Sequence, residues 1–311
     1  MLYLCLLFLT TTAAQIPSAS QQPSPPTDIF LLAGQSNMAG RGGVTNGTLT
    51  HQPTWDGVVP PQCSPTPYIL RFAADLTWVE AREPLHADID FLKTNGIGPG
   101  MPFANAILMD KPGGRTVIGL VPCAIGGTSI KEWQKGSNLY NHLLSRAEAS
   151  ILRGGKIKAL LWYQGESDTE NAEDSELYGG RLKKFLTDIR SDLKIPLLPI
   201  IQVGIASGEG EYKEGVRRGQ FGIDLVNVMI VDALGLPLEP DGLHLTTPSQ
   251  VRLGGLLAHA YRRFPSHPLA TPLTNAAPIS TIISTFLLSI WWIFTFLFPF
   301  VIIYFPTTLK N

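Results

Sequence analysis

Short apolar runs alternate with amphipathic segments along this chain, and this alternation constrains its fold more than any other feature. The apolar runs cover residues 29–32, 116–121, 159–163, 197–203 and 228–231. Between them, residues 139–152 and 177–193 carry apolar side chains at helical spacing, so that each segment can pack one face on a sheet. Strands that alternate with helices in this way are typical of a parallel sheet with crossover helices. The sequence therefore predicts an α/β fold.

A strong helix start follows the last strand candidate. In Thr247-Pro248-Ser249-Gln250 the threonine is a favoured N-cap, the proline suits the first helical position, and the glutamine completes a capping box. We expect this helix to run from there to about Phe264.

Small and polar residues follow four of the five strand candidates. They lie at 34–38, 124–129, 164–168 and 241–244. In an open parallel sheet, ligands bind beyond the carboxyl ends of the strands, where loops converge and helix N-termini present free N–H groups. The four loops are therefore predicted to meet at one edge of the sheet.

The first of these loops offers a nucleophile, and the last offers the base that a serine needs. Ser36 stands within a Gly-Gln-Ser-Asn-Met segment, and its hydroxyl becomes a good nucleophile when a base removes its proton. Asp241 and His244 are three positions apart, so that a carboxylate can orient an imidazole. We predict Ser36, His244 and Asp241 as nucleophile, base and orienting group. The plainer alternatives are a helix-capping serine and a histidine that is a hydrogen-bonded polar group at the start of a helix.

The other two loops can stabilise negative charge. Gly126 and Gly127 let backbone N–H groups approach an oxyanion, although a plain tight turn explains the pair equally well. Gln164 offers an amide donor. Glu166 and Asp168 are either an acid and base pair for glycoside cleavage or carboxylates that fix loops through hydrogen bonds. We favour the structural role, because two positions on an irregular loop need not converge.

Both ends of the chain are apolar and are predicted to lie outside the folded domain, residues 28–267. Residues 1–14 join an apolar stretch to a small-residue end, which is typical of a cleaved signal peptide. The Pro-, Ser- and Gln-rich residues 15–27 are expected to be a disordered lead-in. After a linker at 268–278, residues 279–305 contain no charged side chain and are long enough to cross a hydrocarbon core of about 30 Å. This membrane segment is either a retained span or a cleaved signal for a glycolipid anchor.

These ends predict a protein of the secretory pathway that is anchored on the extracellular or lumenal face of a membrane. The glycosylation sequon Asn46-Gly47-Thr48 agrees with secretion. In an oxidising lumen Cys63 and Cys123 can pair, and two free buried thiols are an equal alternative.

The charge and the ligand content of the chain argue against nucleic-acid and metal binding. The formal net charge is −1 and the basic residues are scattered, so that no basic stripe is available for a phosphate backbone. The six histidines are dispersed, and neither Cys-x-x-Cys nor His-Glu-x-x-His occurs. We therefore expect no nucleic-acid partner and no metal site.

Four sequence blocks together resemble those of a known enzyme family. In chain order they are Gly-Gln-Ser-Asn-Met, Ala-Ile-Gly-Gly-Thr-Ser-Ile-Lys-Glu-Trp, Trp-Tyr-Gln-Gly-Glu-Ser-Asp and Asp-Gly-Leu-His-Leu. They resemble the blocks of the SGNH-hydrolase carbohydrate esterases, in the branch that contains sialate O-acetylesterase-like and plant acetylxylan-esterase-like proteins. The resemblance covers about residues 28–261. It implies a three-layer α/β/α fold with a parallel, flavodoxin-like sheet, and hydrolysis of O-acetyl groups on carbohydrate.

The same resemblance implies a role for each block. Ser36 corresponds to the nucleophile, His244 to the base and Asp241 to its partner. The implied oxyanion donors are the Ser36 backbone N–H, one of the two adjacent glycines of the second block, and a side chain of the third block. At that last position this chain has Gln164, where most enzymes of the superfamily have Asn. Residues 96–102 resemble another family segment and are expected to border the substrate cleft, whereas the apolar C-terminal segment is not part of the shared pattern.

From these residues we expect acyl transfer from an acetylated carbohydrate through an acyl-enzyme, with no metal or organic cofactor. The alternative is a membrane-tethered carbohydrate-binding protein with the same fold and no turnover, and glycoside cleavage by Glu166 and Asp168 comes third. Trp55, Trp78 and Trp133 can each stack on a sugar ring, but core packing is the more common role of a large aromatic side chain.

Overall fold

A computed structural model describes residues 24–46, 52–110 and 116–265, and a seven-stranded sheet forms the centre of this part of the chain. The strands are β1 Asp28–Gly34, β2 Val44–Asn46, β3 Pro53–Trp55, β4 Ile69–Phe72, β5 Trp78–Glu80, β6 Ile118–Pro122, β7 Lys156–Tyr163, β8 Ile200–Gly204 and β9 Val228–Asp232. The α-helices are α1 Ser36–Ala39, α2 Gly100–Met109, α3 Asn138–Ser150, α4 Ala172–Asp192, α5 Lys213–Phe221 and α6 Thr247–Arg262. Short 3₁₀ helices lie at Pro61–Cys63, Ile130–Trp133 and Glu166–Thr169.

Five strands of the sheet have the order of a flavodoxin-like fold. Across the sheet the order is β5-β4-β6-β1-β7-β8-β9. β1 pairs in parallel with β6 and β7, and β8 and β9 continue the parallel pairing. The five strands that the apolar runs predicted therefore stand in the order 2-1-3-4-5, which is the flavodoxin-like arrangement. The predicted α/β fold is confirmed.

One edge of the sheet and a hairpin were not predicted. β4 joins β6 in parallel, but β5 pairs antiparallel with β4, so the sheet is parallel except at this edge. β2 and β3 form a separate antiparallel hairpin. These strands have three or four residues each, and charged residues such as Arg71 in β4 and Glu80 in β5 interrupt their apolar pattern. Such short strands leave too little periodicity to be recognised.

Helices cover both faces of the sheet, which makes three layers. On one face, the Phe30 ring of β1 lies 4.9 Å from that of Phe103 in α2 and 5.0 Å from that of Tyr261 in α6, between ring centroids. Strand alternation directs Trp162 of β7 to the opposite face, where its ring lies 4.5 Å from that of Phe185 in α4. Every residue of β1 is buried, as expected for a strand that is covered on both faces.

Two helix starts differ from their predictions because of the capping side chains. α4 begins at Ala172, five residues before the predicted start, because Asn171 Oδ1 accepts from the Asp174 N–H at 2.9 Å. The N-cap of α6 is Thr246 rather than Thr247, since the Thr246 hydroxyl accepts from the Ser249 N–H. The proline therefore occupies the second helical position, and the helix ends at Arg262.

Several predictions about the chain ends lie outside the described residues. These are the signal peptide at 1–14, most of the lead-in at 15–27, the linker at 268–278 and the membrane segment at 279–305. Among the residues that are described, no helix has the length and apolar character that crossing a membrane requires. Cys63 and Cys123 are both free and buried, so that the disulfide alternative is wrong. Burial raises the pKa of the Cys123 thiol to about 11.

Candidate active site

The predicted nucleophile lies at the carboxyl end of the central strand. Ser36 is the first residue of α1 and follows β1 after a sharp turn at Gly34 and Gln35. Gly34 has φ +127°, and a Cβ at this position would lie 2.0 Å from the carbonyl oxygen of Tyr163 in β7. Only glycine fits here, because an added side chain would clash with the neighbouring strand.

Ser36, His244 and Asp241 form one chain of hydrogen-bonding side chains. Ser36 Oγ lies 2.9 Å from His244 Nε2, and His244 Nδ1 lies 2.7 Å from Asp241 Oδ2. The other carboxylate oxygen of Asp241 accepts from the backbone N–H groups of Leu243 and His244, each at 2.9 Å. The structure thus brings together three side chains from two loops that are two hundred residues apart in sequence.

The charge state of Asp241 fixes the histidine tautomer. Burial opposes ionisation of this carboxylate, but the N–H groups of His244 and Leu243 and the contact with the histidine ring outweigh burial, so the pKa of Asp241 is lowered. An ionised carboxylate only accepts hydrogen bonds, so Nδ1 of His244 carries the proton. In the neutral ring, Nε2 is then an acceptor that faces the Ser36 hydroxyl.

Of the two adjacent glycines, Gly126 is the one beside the nucleophile. A Cβ built at Gly126 would lie 3.5 Å from Ser36 Cβ, whereas a Cβ at Gly127 would meet nothing within 4 Å. The backbone N–H groups of Ser36 and Gly126 donate no hydrogen bond to any other described residue. They are therefore available to an oxyanion next to Ser36.

The amide of the Gln164 side chain is surrounded by other acceptors. It is completely buried, and its Nε2 lies within hydrogen-bond distance of Gln35 Oε1 at 3.1 Å, the Thr128 carbonyl at 2.9 Å and Asp168 Oδ2 at 2.5 Å. The amide has two hydrogens for these three acceptors. Its N–H groups hold the loops together, so that Gln164 would have to give up one of these contacts to serve as the predicted oxyanion donor.

Glu166 and Asp168 are also buried and hold loops. Asp168 accepts from the Ile130 N–H, and Glu166 Oε1 accepts from Asn37 Nδ2 at 2.7 Å. Burial raises the pKa of Glu166 to about 7 and that of Asp168 to about 6. Both side chains have no exposed surface, so neither can meet a glycosidic bond, and the structural role agrees with these contacts.

A cleft of about 430 Å³ opens beside His244. Its walls come from the β2–β3 hairpin, the turn at 93–94 and the loop at 239–241, and Thr45, Lys93 and Glu239 line it. None of residues 96–102 lines this cleft, although they were expected to border it; the Ile97 carbonyl instead accepts from the Gly42 N–H. No sequence pattern indicated the hairpin, because its strands of three residues each are too short to show a period.

Arg41 forms the buried end of the cleft, and no sequence pattern pointed to it. Its guanidinium pairs with Asp90 and donates to Asn95 Oδ1 at 2.8 Å. A Cβ at Gly126 would lie 2.5 Å from Arg41 Nη2, so this cation stands next to the glycine that borders Ser36. The arginine therefore holds the loop at 90–95 against the active-site edge of the sheet.

The three candidate sugar-stacking tryptophans pack against the core. Trp133 is completely buried, and Trp55 and Trp78 are partly buried against the core, so packing explains all three. No group of three potential metal-ligating His, Cys, Asp or Glu side chains occurs in the described ranges.

Comparison with known proteins gives the family. Residues 26–263 match the family described as carbohydrate esterase, sialic acid-specific acetylesterase. The chain belongs to this family. A probable carbohydrate esterase of Arabidopsis thaliana is 55% identical to it over 241 residues, which are 78% of this chain and 92% of the relative.

Two solved structures are similar to this chain in fold. One is the X-ray structure of a protein from Arabidopsis thaliana that is 55% identical in sequence. The match covers 76% of this chain and 98% of the Arabidopsis chain, with a TM-score of 0.74. The other is a carbohydrate acetylesterase from Xanthomonas citri that is 19% identical in sequence. The match covers 76% of this chain and 56% of the Xanthomonas chain, with a TM-score of 0.54, and it shows similarity of fold alone. The predicted relationship to the SGNH carbohydrate esterases is confirmed, and this esterase is a carboxylic ester hydrolase.

Proposed function

We propose that this esterase removes O-acetyl groups from carbohydrate through a covalent acyl-enzyme on Ser36. The observation that carries the proposal is the continuous hydrogen-bonded chain from Asp241 through His244 to Ser36 Oγ, next to a cleft. A serine hydroxyl is a weak nucleophile by itself, and this arrangement supplies the base and the group that orients it.

The first half of the reaction forms the acyl-enzyme. His244 Nε2 takes the proton of the Ser36 hydroxyl while Oγ attacks the acetyl carbonyl carbon. The carbonyl oxygen becomes an oxyanion, and the backbone N–H groups of Ser36 and Gly126 stabilise it by hydrogen bonds. When the tetrahedral intermediate collapses, the bond to the sugar oxygen breaks, and His244 gives its proton to the leaving sugar hydroxyl.

The second half releases acetate. Water takes the place of the sugar, His244 removes a proton from it, and the hydroxide attacks the acetyl group on Ser36. Collapse returns the proton to Ser36 Oγ and frees acetate. The Asp241 carboxylate stabilises the imidazolium that forms in both halves.

Acetate release measures this function directly. We expect the enzyme to release acetate from acetylated xylan or from a simple acetyl ester, and Ser36→Ala to lower kcat by about 10⁴-fold or more while the protein stays folded. A folded Ser36→Ala protein that releases acetate at the parental rate contradicts the proposal. Labelling by a serine-directed phosphonate, which requires an activated hydroxyl, separates an esterase from a binding protein without turnover.

The preferred sugar and the location of the protein need their own measurements. A panel of acetylated polysaccharides, assayed for acetate release, identifies the preferred substrate. We also propose that residues 1–14 and 279–305 direct the protein to the secretory pathway and anchor it to a membrane. Expression of the full chain should place it in the membrane fraction, and a chain that ends at residue 267 should be released from it.

A further inference from the structure

One side chain holds the backbone on both sides of His244. Asn37 Oδ1 accepts from the Leu245 N–H at 2.9 Å, and Asn37 Nδ2 donates to the Leu243 carbonyl at 3.3 Å. Asn37 is completely buried and directly follows Ser36 in α1. The segment that carries the nucleophile is therefore tied, through a single amide group, to the peptide units before and after the base.

Glu166 fixes the orientation of that amide. Asn37 Nδ2 also donates to Glu166 Oε1 at 2.7 Å, which is the shortest of the Asn37 side-chain contacts. Rotation of the amide by 180° would point Oδ1 at the Leu243 carbonyl and Nδ2 at the Leu245 N–H, so both backbone contacts would become repulsive. An ionised Glu166 would repel the rotated Oδ1 as well. An oxygen of the Glu166 carboxyl can accept this hydrogen bond whether or not the group is ionised.

The backbone of Glu166 is itself well anchored, so its carboxyl is a fixed reference point. The Glu166 carbonyl accepts from Thr169 Oγ1 at 2.7 Å and from the Glu209 N–H at 3.1 Å. Its second carboxyl oxygen, Oε2, is buried and has no partner among the described residues. Burial of this carboxyl costs solvation free energy, because only one side chain contacts it. That side chain is Asn37, so orienting the Asn37 amide is the role that the contacts of Glu166 support.

We infer that Asn37 is a positioning residue that sets the distance between Ser36 Oγ and His244 Nε2, and that Glu166 orients Asn37. The inference rests on the proposed function and adds two residues that do not need to touch the ester. A displacement of about 1 Å between reacting groups can cost about 10²-fold in rate. Asn37 is bonded to Ser36 in sequence and hydrogen-bonded to the backbone of both neighbours of His244, and these connections prevent such a displacement.

Exchange of the donor and the acceptor in the Asn37–Glu166 hydrogen bond tests this inference. Asn37→Asp keeps an oxygen for the Leu245 N–H but places the other oxygen against Glu166 and the Leu243 carbonyl. We expect kcat for acetate release to fall about 10²-fold, with KM changed less than about threefold. In Asn37→Asp combined with Glu166→Gln, the new amide donates to the new carboxylate, and we expect kcat to recover at least about tenfold.

A second pair of variants keeps the test decisive if Asn37→Asp does not fold. Glu166→Ala frees the amide of Asn37, and we expect kcat to fall about tenfold or more, whereas Glu166→Gln retains an acceptor and loses less. The matched control is Asn171→Asp, because Asn171 Nδ2 donates to Asp174 Oδ2 at 2.8 Å in a pair at the start of α4 that makes no hydrogen bond to Ser36, Asp241 or His244. This control should keep the parental kcat.

Two readouts separate positioning from a loss of folded protein. Each kcat is divided by the folded fraction, and the low-field proton resonance of the His244 Nδ1–H is recorded by NMR. This resonance should shift in Asn37→Asp and return toward the parental position in the double variant. Parental kcat in Asn37→Asp or Glu166→Ala, or no recovery in the double variant, overturns the inference. If Ser36→Ala retains activity, the proposed function itself is wrong, and the NMR comparison still tests the positioning role.

Discussion

Exchange of Asp241 for Asn is the sharpest test of the catalytic geometry, because it changes one atom and reverses a hydrogen bond. In the parent, Oδ1 accepts from the backbone N–H groups of Leu243 and His244, and Oδ2 accepts from His244 Nδ1. In Asp241→Asn the amide oxygen is retained by the two backbone N–H groups, so the NH₂ group must face the ring. An NH₂ group donates, and therefore Nδ1 must become the acceptor.

The consequence at the nucleophile follows from the histidine tautomer. If Nδ1 accepts, the ring proton resides on Nε2, which lies 2.9 Å from Ser36 Oγ. Nε2 can then no longer take the serine proton. The equivalent exchange in serine proteases lowers kcat about 10⁴-fold, so we expect a loss of about 10⁴-fold here, or about 5 kcal/mol of transition-state stabilisation.

The assay compares acetate release by the parent, Asp241→Asn and a matched control. We expect the thermal midpoint to change little in Asp241→Asn, since both backbone hydrogen bonds persist. Asp75→Asn is the control, because Asp75 Oδ1 accepts from the N–H and the hydroxyl of Thr77 in a similar turn without a histidine. A kcat of Asp241→Asn within about tenfold of the parent would refute the tautomer argument.

Three further predictions concern the loops around Ser36. Gly126→Ala would bring a methyl group to 2.5 Å from Arg41 Nη2, which must displace the Gly126 N–H. We expect kcat for acetate release to fall about 10²- to 10³-fold, and an unchanged kcat would contradict this. Gln164→Ala should lower the free energy of unfolding by about 1–3 kcal/mol, because it removes the amide donor of Asp168, and a kcat loss without destabilisation would instead indicate an oxyanion donor. Glu166→Gln should remove a pH dependence of the free energy of unfolding. Burial raises the pKa of Glu166 from 4.5 to about 7, so the folded parent binds the proton more tightly than the unfolded chain does. The parent therefore loses stability as the pH rises from about 4.5 to about 7, and the variant should not. Denaturant unfolding of both proteins across this window checks the sign, and a difference that does not grow with pH would contradict it.

The candidate catalytic residues can be named from the sequence because they lie in local motifs. The Gly-Gln-Ser-Asn-Met block and the Asp-Gly-Leu-His block each hold their functional groups within a few positions, and the apolar runs mark the strands that precede the loops. Ser36, His244 and Asp241 could be named for this reason, and the α/β class follows from the alternation of the two periodicities.

Other features depend on which distant groups meet, and the sequence alone does not contain this information. Gln164 has the chemistry of an oxyanion donor, but the fold surrounds its amide with three acceptors. Gly126 and Gly127 are equivalent in sequence, and the path of the loop puts only Gly126 beside Ser36. Asn37 lies within a recognisable motif, but its hydrogen bonds to Leu243 and Leu245 join positions more than two hundred residues apart.

The physical reason for this division is the range of the interactions. Strand and helix periodicity, turn chemistry and the identity of reactive groups are set within about ten to twenty residues, so the sequence by itself determined them. The partner of a buried polar group is decided by tertiary packing, because such a group must be hydrogen-bonded to whichever segment the fold places next to it. The sequence therefore determined which groups can react, and the tertiary structure decided which of them face Ser36.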